Sequence, residues 1–226
     1  MTNRAGQPAQ ETDLVDITKL LDAYHDTVPT PSEPTQRVSF GTSGHRGSSL
    51  TGSFNEAHIV AITKAIIEYR AGQNYTGPIY LGRDTHALSE PALLTVLEVL
   101  AGADVPVMID DRDGYTPTPV LSHAIITHNK RVGTAQGLAD GIIITPSHNP
   151  PSDGGIKYNP PHGGPAGADI TAWIENRANE LLEGAWRDVP RTPFQRAFHL
   201  DNTTNFNYVE TVSYTHLRAH ETRGNL

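Results

Sequence analysis

The chain has 226 residues, a formal net charge of −8 at pH 7, 37% hydrophobic residues and no cysteine. This composition is typical of a soluble globular protein of one domain or slightly more, and it excludes a disulfide framework, a thiol nucleophile and a thiolate metal site. The acidic balance excludes a basic surface for nucleic acid, and no apolar run approaches the roughly 18 residues of a membrane span, so we expect a cytoplasmic protein with neither nucleic acid nor membrane as a partner.

The first third of the chain predicts a helix, a linker, a strand and a second helix. ETDLVDITKLLDAYHDT has helical spacing of its apolar residues, and the proline-rich VPTPSEPTQ predicts a linker, so residues 1–36 form an N-terminal extension. RVSF predicts a strand and GTSGHRGSS a glycine-rich loop. Ser53 and Glu56 fit a capping box at the start of a helix that ends near Gly72. Apolar residues at helical spacing form the buried stripe of that helix: Ile59, Val60, Ile62, Ile66 and Tyr69.

Strands and helices alternate through the next part of the chain. PIYLG predicts a strand, and Ser89 opens a helix over ALLTVLEVLA. VPVMI predicts a strand that Pro106 restricts to an edge or an irregular position, and VLSHAIITH predicts a helix. DGIIIT predicts a buried central strand, which a long loop connects to a helix over ADITAWIENRANELLEG that ends before Gly184. This alternation predicts an α/β fold whose sheet is covered on both faces.

The last forty residues have weak periodicity. Residues 185–211 indicate a truncated connection toward a second domain. Residues 212–226, VSYTHLRAHETRGNL, resemble a non-native tail derived from a vector or adapter. The alternative is a genuine frayed terminus. We predict that the chain from about Val212 onward packs against nothing.

Three loops with polar and basic side chains follow presumed strand ends. Ligands of open α/β sheets bind beyond the carboxyl ends of the strands, so parallel strands would bring these loops to one edge. Such a set of donors and cations, with one presented hydroxyl and several glycines, predicts a site for a phosphorylated ligand. The candidate residues are Thr42, Ser43, His45 and Arg46 in the first loop, Arg83, Asp84 and His86 in the second, and Ser147, His148, Asn149 and Lys157 in the third.

Each loop taken alone has a simpler interpretation. GTSGHRG is compatible with a plain turn, Arg83 and Asp84 with a local ion pair, and Lys157 with a solvated surface lysine. Ser147 next to His148 is poor evidence for a hydrolase, because adjacent side chains rarely point at each other and no G-x-S-x-G elbow is present. DDRDG lacks the spacing of a calcium loop and indicates a turn after a strand.

Taken in order, four motifs resemble one family. FGTSGHRG, GRDTHALS, GYTPTP and GIIITPSHNPPSDGGIKYN are similar to motifs in the first domain of the α-D-phosphohexomutases, with the bacterial phosphoglucomutases as the closest branch. The resemblance extends from about Arg37 to Gly184. It implies a three-layer α/β/α domain with a mixed, mostly parallel sheet, within an enzyme that is an intramolecular phosphotransferase.

The same resemblance implies roles for individual residues. Ser147 would carry the transferable phosphoryl group and bind Mg²⁺ through its phosphate, and the enzyme would interconvert glucose 1-phosphate and glucose 6-phosphate with glucose 1,6-bisphosphate as intermediate and activator. Lys157 would be the general acid–base that acts on the sugar hydroxyl, and His148 would help to orient the catalytic site. Arg46 matches a basic residue near the phosphoserine. The remaining residues of the expected phosphate-binding set are Thr42, Ser43, His45 and Asn149.

The family pattern is incomplete in this chain. The aspartate loop for the metal, the sugar-binding loop and the distal phosphate loop belong to three further domains, and none of these motifs is present. We therefore expect a fragment that is inactive alone and binds hexose phosphates, and we infer no protein partner. The alternatives are a fragment of a phosphomannomutase or phosphoglucosamine mutase, a non-catalytic phosphosugar-binding domain and, at a distance, a serine hydrolase.

Overall fold

A computed structural model of the protein describes residues 6–8, 10–41, 44–133, 137–208 and 211–212. In these residues six strands form one sheet in the order β1-β5-β4-β2-β3-β6. The strands are β1 His45–Ser48, β2 Ile79–Arg83, β3 Val107–Asp110, β4 Asp140–Ile144, β5 Asp153–Asn159 and β6 Thr203–Phe206. The α-helices are α1 Ile17–Asp26, α2 Glu56–Gly72, α3 Ser89–Gly102, α4 Thr118–Val132, α5 Ala168–Leu182 and α6 Phe194–Ala197.

The sheet is mixed and mostly parallel. Strands β2, β3, β4 and β6 run parallel to one another, whereas β5 pairs antiparallel with both β4 and β1. The expected mixed, mostly parallel sheet is therefore confirmed. Parallel pairing places the carboxyl ends of β2, β3 and β4 at the same edge of the sheet.

Helices cover both faces of the sheet, as the alternating sequence predicts. Ile79, Leu81 and Ile142 point to one face, where they pack in a large core with side chains of α1, α2, α3 and α5. Tyr80 and Ile143 point to the other face and pack with apolar side chains of α4. Successive residues of a strand alternate between faces, so these short apolar strands are buried on both sides.

The predicted strand over RVSF is wrong. Val38 and Phe40 are buried, but the backbone of this segment is bound by side chains of α5 instead of by another strand. Asn179 accepts from the Val38 N–H at 3.0 Å and donates to its carbonyl at 2.9 Å, and Glu175 accepts from the Phe40 N–H at 2.8 Å. The strand β1 lies a few residues later, inside the stretch that predicts a glycine-rich loop.

Helix α2 also begins differently from its prediction. Its N-cap is Asn55, whose backbone N–H donates to Nδ1 of His58 at 3.1 Å. Ser53, the predicted cap, instead accepts from the Ser48 N–H at 3.0 Å and closes the turn after β1. The predicted end of the helix at Gly72 is confirmed.

Two further predictions are wrong because strands β5 and β6 lie in segments for which the sequence predicts no strand. The strand after Pro106 is not at an edge, since β6 pairs with it along Val107–Asp110. The long loop predicted after DGIIIT contains β5, which forms an antiparallel hairpin with β4. The prediction that the tail packs against nothing covers the chain from about Val212 onward; residues 213–226 lie outside the described residues, so it stays a prediction.

A buried ion pair joins α2 to the hairpin. Arg70 donates to both carboxylate oxygens of Asp140 at 3.1 and 3.2 Å, and the side chains are 5% and 0% exposed. The Tyr158 hydroxyl donates to the same carboxylate at 2.7 Å. Since a buried carboxylate without partners is strongly unfavourable, these three donors are required by its position.

No helix among the described residues has the length and apolar character needed to cross a membrane.

We predict that the stability of the domain falls as the pH decreases from about 6.5, because His58 is buried as a neutral ring. Burial and the neighbouring His45 lower its pKa from 6.5 to about 3. Between these two values the unfolded chain binds a proton that the folded chain does not, so the free energy of unfolding decreases by about 1.4 kcal/mol per pH unit for this group. Urea titrations from pH 7 to pH 4 measure this slope.

His58→Gln should flatten that slope, whereas the same replacement at the exposed His199 should leave it as in the parent. An unchanged slope in His58→Gln would show that other groups govern the acid response.

Candidate active site

The loop after β4 presents Ser147 to solvent. Ser147 is exposed and has a φ of 91°, while Thr145 and Pro146 before it are buried. The Thr145 hydroxyl accepts from the Ser147 N–H at 3.3 Å. A non-glycine residue in this backbone region is strained by about 1–3 kcal/mol, and such residues cluster at functional sites. The tight turn thus holds the hydroxyl out from the edge of the sheet.

The hairpin returns a lysine to this serine. Lys157 pairs with Ile143 in the register of β4 and β5, so its backbone lies beside the strand that leads into the serine loop. Its Nζ donates to Ser147 Oγ at 2.5 Å. The two residues are ten positions apart in sequence, and only the hairpin brings them together.

Two glycines allow this close packing. A Cβ on Gly155 would lie 2.5 Å from Pro146 Cα and 2.6 Å from the Thr145 carbonyl oxygen. A Cβ on Gly44 would lie 2.4 Å from the Ile156 carbonyl oxygen and 2.6 Å from Lys157 Cγ. Only glycine fits where two backbones approach this closely.

Arg46 on β1 supports the same loop. Its Nε donates to the Pro146 carbonyl at 2.8 Å and its Nη1 to the Gly44 carbonyl at 3.2 Å.

Burial lowers the pKa of Lys157, and the charge of Arg46 lowers it further against an opposing contribution from Asp84. A lysine with a lowered pKa exchanges protons more readily near neutral pH than an ordinary lysine.

The loop after β2 contacts the serine loop from the other side. The Asp84 N–H donates to the Ile144 carbonyl at 3.0 Å, and His86 Nε2 donates to the Pro151 carbonyl at 2.8 Å. The expected ion pair between Arg83 and Asp84 is wrong, because Arg83 pairs with Asp113 at 3.2 Å.

His45 lies in the core and not at the Ser147 hydroxyl. Its ring is 1% exposed, and burial lowers its pKa, which favours the neutral form. Nε2 donates to the Ser53 carbonyl at 2.7 Å, and Nδ1 accepts from the Ser39 N–H at 3.1 Å. With both nitrogens bound to backbone, the ring packs β1 against α2 and has no nitrogen left for a phosphate.

The other expected site residues differ in how far the structure describes them. His148 is exposed beside Ser147, and Asn149 is half-buried with its Nδ2 3.4 Å from Asp153 Oδ2. Thr42 and Ser43 lie outside the described residues, so their expected phosphate contacts stay predictions.

The described side chains do not fit a magnesium ion by themselves. Mg²⁺ binds through oxygen ligands in octahedral geometry, usually with one or two carboxylates and substrate phosphates. Among residues 6–8, 10–41, 44–133, 137–208 and 211–212, no three histidine, aspartate or glutamate side chains are grouped to hold a metal ion. The expected contribution of this chain to a metal site is the phosphate on Ser147 alone.

Two cavities lie outside the serine loop. The larger, of about 720 Å³, is lined by α4 and the segment after β6, so it is remote from Ser147. The smaller, of about 180 Å³, lies at the carboxyl ends of β2 and β3 and includes Arg83, Asp113 and the buried Thr116. Neither of these two cavities is lined by Ser147 or Lys157.

Comparison with known proteins identifies the family of the chain. The family profile described as phosphoglucomutase/phosphomannomutase, alpha/beta/alpha domain I, matches residues 37–184. The chain belongs to this family. Family membership confirms the resemblance seen in the four motifs, and the three-layer fold is the one that the profile describes.

Relatives match the chain over part of their own length. The chain is similar to a phosphoglucomutase of Komagataeibacter xylinus, with 55% identity over 91% of the chain and 37% of the relative. It is also similar to a phosphoglucosamine mutase of Rhodospirillum rubrum, with 32% identity over 84% of the chain and 39% of the relative. The chain thus spans well under half the length of these relatives.

A solved structure shows the same fold. The open form of parafusin, a phosphoglucomutase from Paramecium, matches with a TM-score of 0.61 and 22% identity over 86% of this chain and 36% of that one. At this identity the match supports the fold of the domain.

Several residues that form the site carry no signal in the sequence read on its own. Gly155 and Gly44 appear there as ordinary loop glycines, and their role depends on how close two strands approach. The contact of Arg46 with the Pro146 carbonyl spans 100 positions of sequence. The crowding of glycines in this loop is a signal of close backbone packing, but it does not show which glycine meets which residue.

We predict that Gly155→Ala displaces the serine loop, because the new Cβ would overlap backbone atoms of Thr145 and Pro146 that cannot move without shifting Ser147. Gly72→Ala is the matched control, since a Cβ there meets nothing within 4 Å. Amide chemical shifts of Ser147 and His148 measure the displacement. Native shifts in Gly155→Ala, or equal perturbation by both variants, would contradict the close packing described above.

Proposed function

We propose that this chain is the serine-bearing domain of a phosphoglucomutase, an enzyme that interconverts glucose 1-phosphate and glucose 6-phosphate through glucose 1,6-bisphosphate. The observation that carries the proposal is the 2.5 Å contact between Lys157 Nζ and Ser147 Oγ on an exposed, strained turn. Family membership and the 55% identity to a phosphoglucomutase support the choice of reaction.

In this proposal Ser147 is the carrier of the phosphoryl group. When the phosphoserine gives its group to a sugar hydroxyl, the bond between phosphorus and Ser147 Oγ breaks, a new bond to the sugar oxygen forms, and the proton of that hydroxyl passes to water or to a base of the complete enzyme. A serine is a weak nucleophile whose phosphate ester persists until substrate arrives, so the group is kept from water between transfers. The exposed position of the hydroxyl permits access by a sugar phosphate.

In this proposal Lys157 donates a proton to Ser147 Oγ in one direction of the reaction and accepts it in the other. As the phosphoryl group leaves, Nζ–H donates to Ser147 Oγ along the contact already present. When Ser147 later attacks the bisphosphate, the neutral amine accepts the same proton. The lowered pKa of Lys157 favours this exchange, because general acid–base catalysis is most efficient with a pKa near the working pH.

The remaining loop residues orient these two groups. Arg46 holds the Pro146 carbonyl and adds positive charge near a phosphate on Ser147. His148 and Asn149, beside the serine, are proposed to contact the phosphate or the sugar, together with Thr42 and Ser43. From the family we also propose that Mg²⁺ neutralises the charge of the phosphate. A cytoplasmic location is part of the same proposal.

Glucose is favoured over other sugars by the pattern of relatives. The 55% identical relative is a phosphoglucomutase, whereas the phosphoglucosamine mutase is 32% identical. Parallel assays of the full-length enzyme with glucose 1-phosphate, glucosamine 1-phosphate and mannose 1-phosphate distinguish these substrates. A higher kcat/KM for glucosamine or mannose phosphate would replace phosphoglucomutase by the corresponding mutase.

We predict that Ser147→Ala abolishes mutase turnover in the full-length enzyme, because no covalent carrier remains. Lys157→Ala should reduce kcat by about 10²–10⁴-fold, the usual contribution of general acid–base catalysis. Ser152→Ala, in the same loop, and Lys64→Ala, on the surface of α2, are the matched controls and should keep parental rates. Parental turnover in Ser147→Ala would refute the phosphoserine role.

We further predict that residues 1–226 alone do not catalyse the mutase reaction. Phosphoryl transfer depends on positioning and on neutralising charge around the moving group, and the described residues provide no carboxylate cluster for a metal. The test supplies the purified chain with glucose 1-phosphate, glucose 1,6-bisphosphate and Mg²⁺. Steady formation of glucose 6-phosphate above a Ser147→Ala control would show that this domain is sufficient.

A further inference from the structure

The loop after β2 contacts the serine loop at both of its ends. Asp84 donates its N–H to the carbonyl of Ile144, the last residue of β4, at 3.0 Å. Two residues later, His86 donates from Nε2 to the carbonyl of Pro151, just before β5, at 2.8 Å. Ser147 lies between these two anchoring points.

The ring of His86 is oriented before it reaches the serine loop. Nδ1 accepts from the Leu88 N–H at 3.1 Å, which leaves the proton on Nε2. The Asp84 carboxylate accepts from the His86 N–H at 2.9 Å and from the Ser89 hydroxyl at 2.5 Å. Since Ser89 begins α3, the loop that carries the ring is fixed to a helix of the core.

Between Ser147 and the start of β5, few side-chain hydrogen bonds among the described residues reach other parts of the molecule. Arg46 binds the entry side, at Pro146, whereas the side-chain hydrogen bonds described for Asn149 and Ser152 go to Asp153, the first residue of β5, which pairs with Ser48 of β1. The contact from His86 therefore connects the exit to a distant, rigid element. A strained turn holds its shape only when its surroundings constrain it, and the φ of Ser147 is such a strain.

We propose that His86 is a positioning residue that holds the serine loop in its strained shape, with Ser147 at Lys157, through its hydrogen bond to Pro151. This inference rests on the proposed function for its effect on catalysis. Displacement of a reacting group by about 1 Å can reduce the rate by about 10²-fold, so the bond acts on kcat. Both ring nitrogens of His86 are bonded to backbone groups, so the proposal assigns this side chain no contact with substrate and we expect KM to change little.

The experiment compares His86→Ala and His86→Gln in the full-length enzyme. We expect His86→Ala to lower kcat by about 10–10²-fold with KM within about twofold of the parent. His86→Gln retains an N–H donor on a side chain of similar reach and should recover most of the lost kcat. Parental kcat in His86→Ala, or no recovery in His86→Gln, would overturn the proposal.

His162→Ala is the matched control. The Nδ1 of His162 accepts from a backbone N–H two residues later, Gly164 at 3.0 Å, as Nδ1 of His86 does from Leu88. It lies after the far end of β5, away from the serine loop, and its loss should leave kcat unchanged. If His162→Ala lowered kcat as much as His86→Ala does, the loss would be a general effect of removing a histidine that caps a turn, and the proposal would be overturned.

Hydrogen exchange separates this proposal from the proposed function. In the parent, His86→Ala and His162→Ala proteins, deuterium uptake is measured for the peptide that contains residues 147–149. Faster uptake in His86→Ala alone supports the clamp even if the parent enzyme proves to have no mutase activity, which would refute the function only. Equal uptake in all three proteins would refute the clamp whatever the activity.

Discussion

The antiparallel pairing of β4 and β5 is the constraint on which the site depends. It turns a loop of consecutive polar residues into a closed hairpin and brings Lys157 back to Ser147. The hairpin in turn requires Gly155, because a larger residue would separate β5 from the serine loop. The contact between Lys157 and Ser147 is thus a consequence of strand register, and a shift of one residue would abolish it by moving Lys157 to the opposite face.

The open end of the same hairpin is held by charge. Asp140 on β4 and Tyr158 on β5 share a hydrogen bond, and Arg70 of α2 binds the same carboxylate in a site closed to solvent. Removing one partner of such a pair typically costs about 3–5 kcal/mol, because the other charge stays buried alone. A polar anchor of this kind also accepts only one register, whereas apolar isoleucines tolerate several.

The exposed end is held by contacts from two other segments. Arg46 of β1 binds the entry of the serine loop, and the loop after β2 binds both its entry and its exit. These contacts fix backbone carbonyls, and they leave the hydroxyl of Ser147 free to be reached. A phosphoryl carrier needs this combination, since transfer depends on a fixed position more than on chemical reactivity of the serine.

Local patterns in the sequence were enough for the existence of helices α1 to α5, the buried strands over PIYLG and DGIIIT, and the motifs that place the chain in its family. Helical and strand periodicities act over a few neighbouring residues, so they can be read without the fold. The tertiary structure decided the position of β1, the strand character of the segment around Lys157, the pairing of Arg83 with Asp113 and the burial of His45. Each of these depends on contacts between residues distant in sequence, where competition for hydrogen-bond partners and core volume overrides local preference.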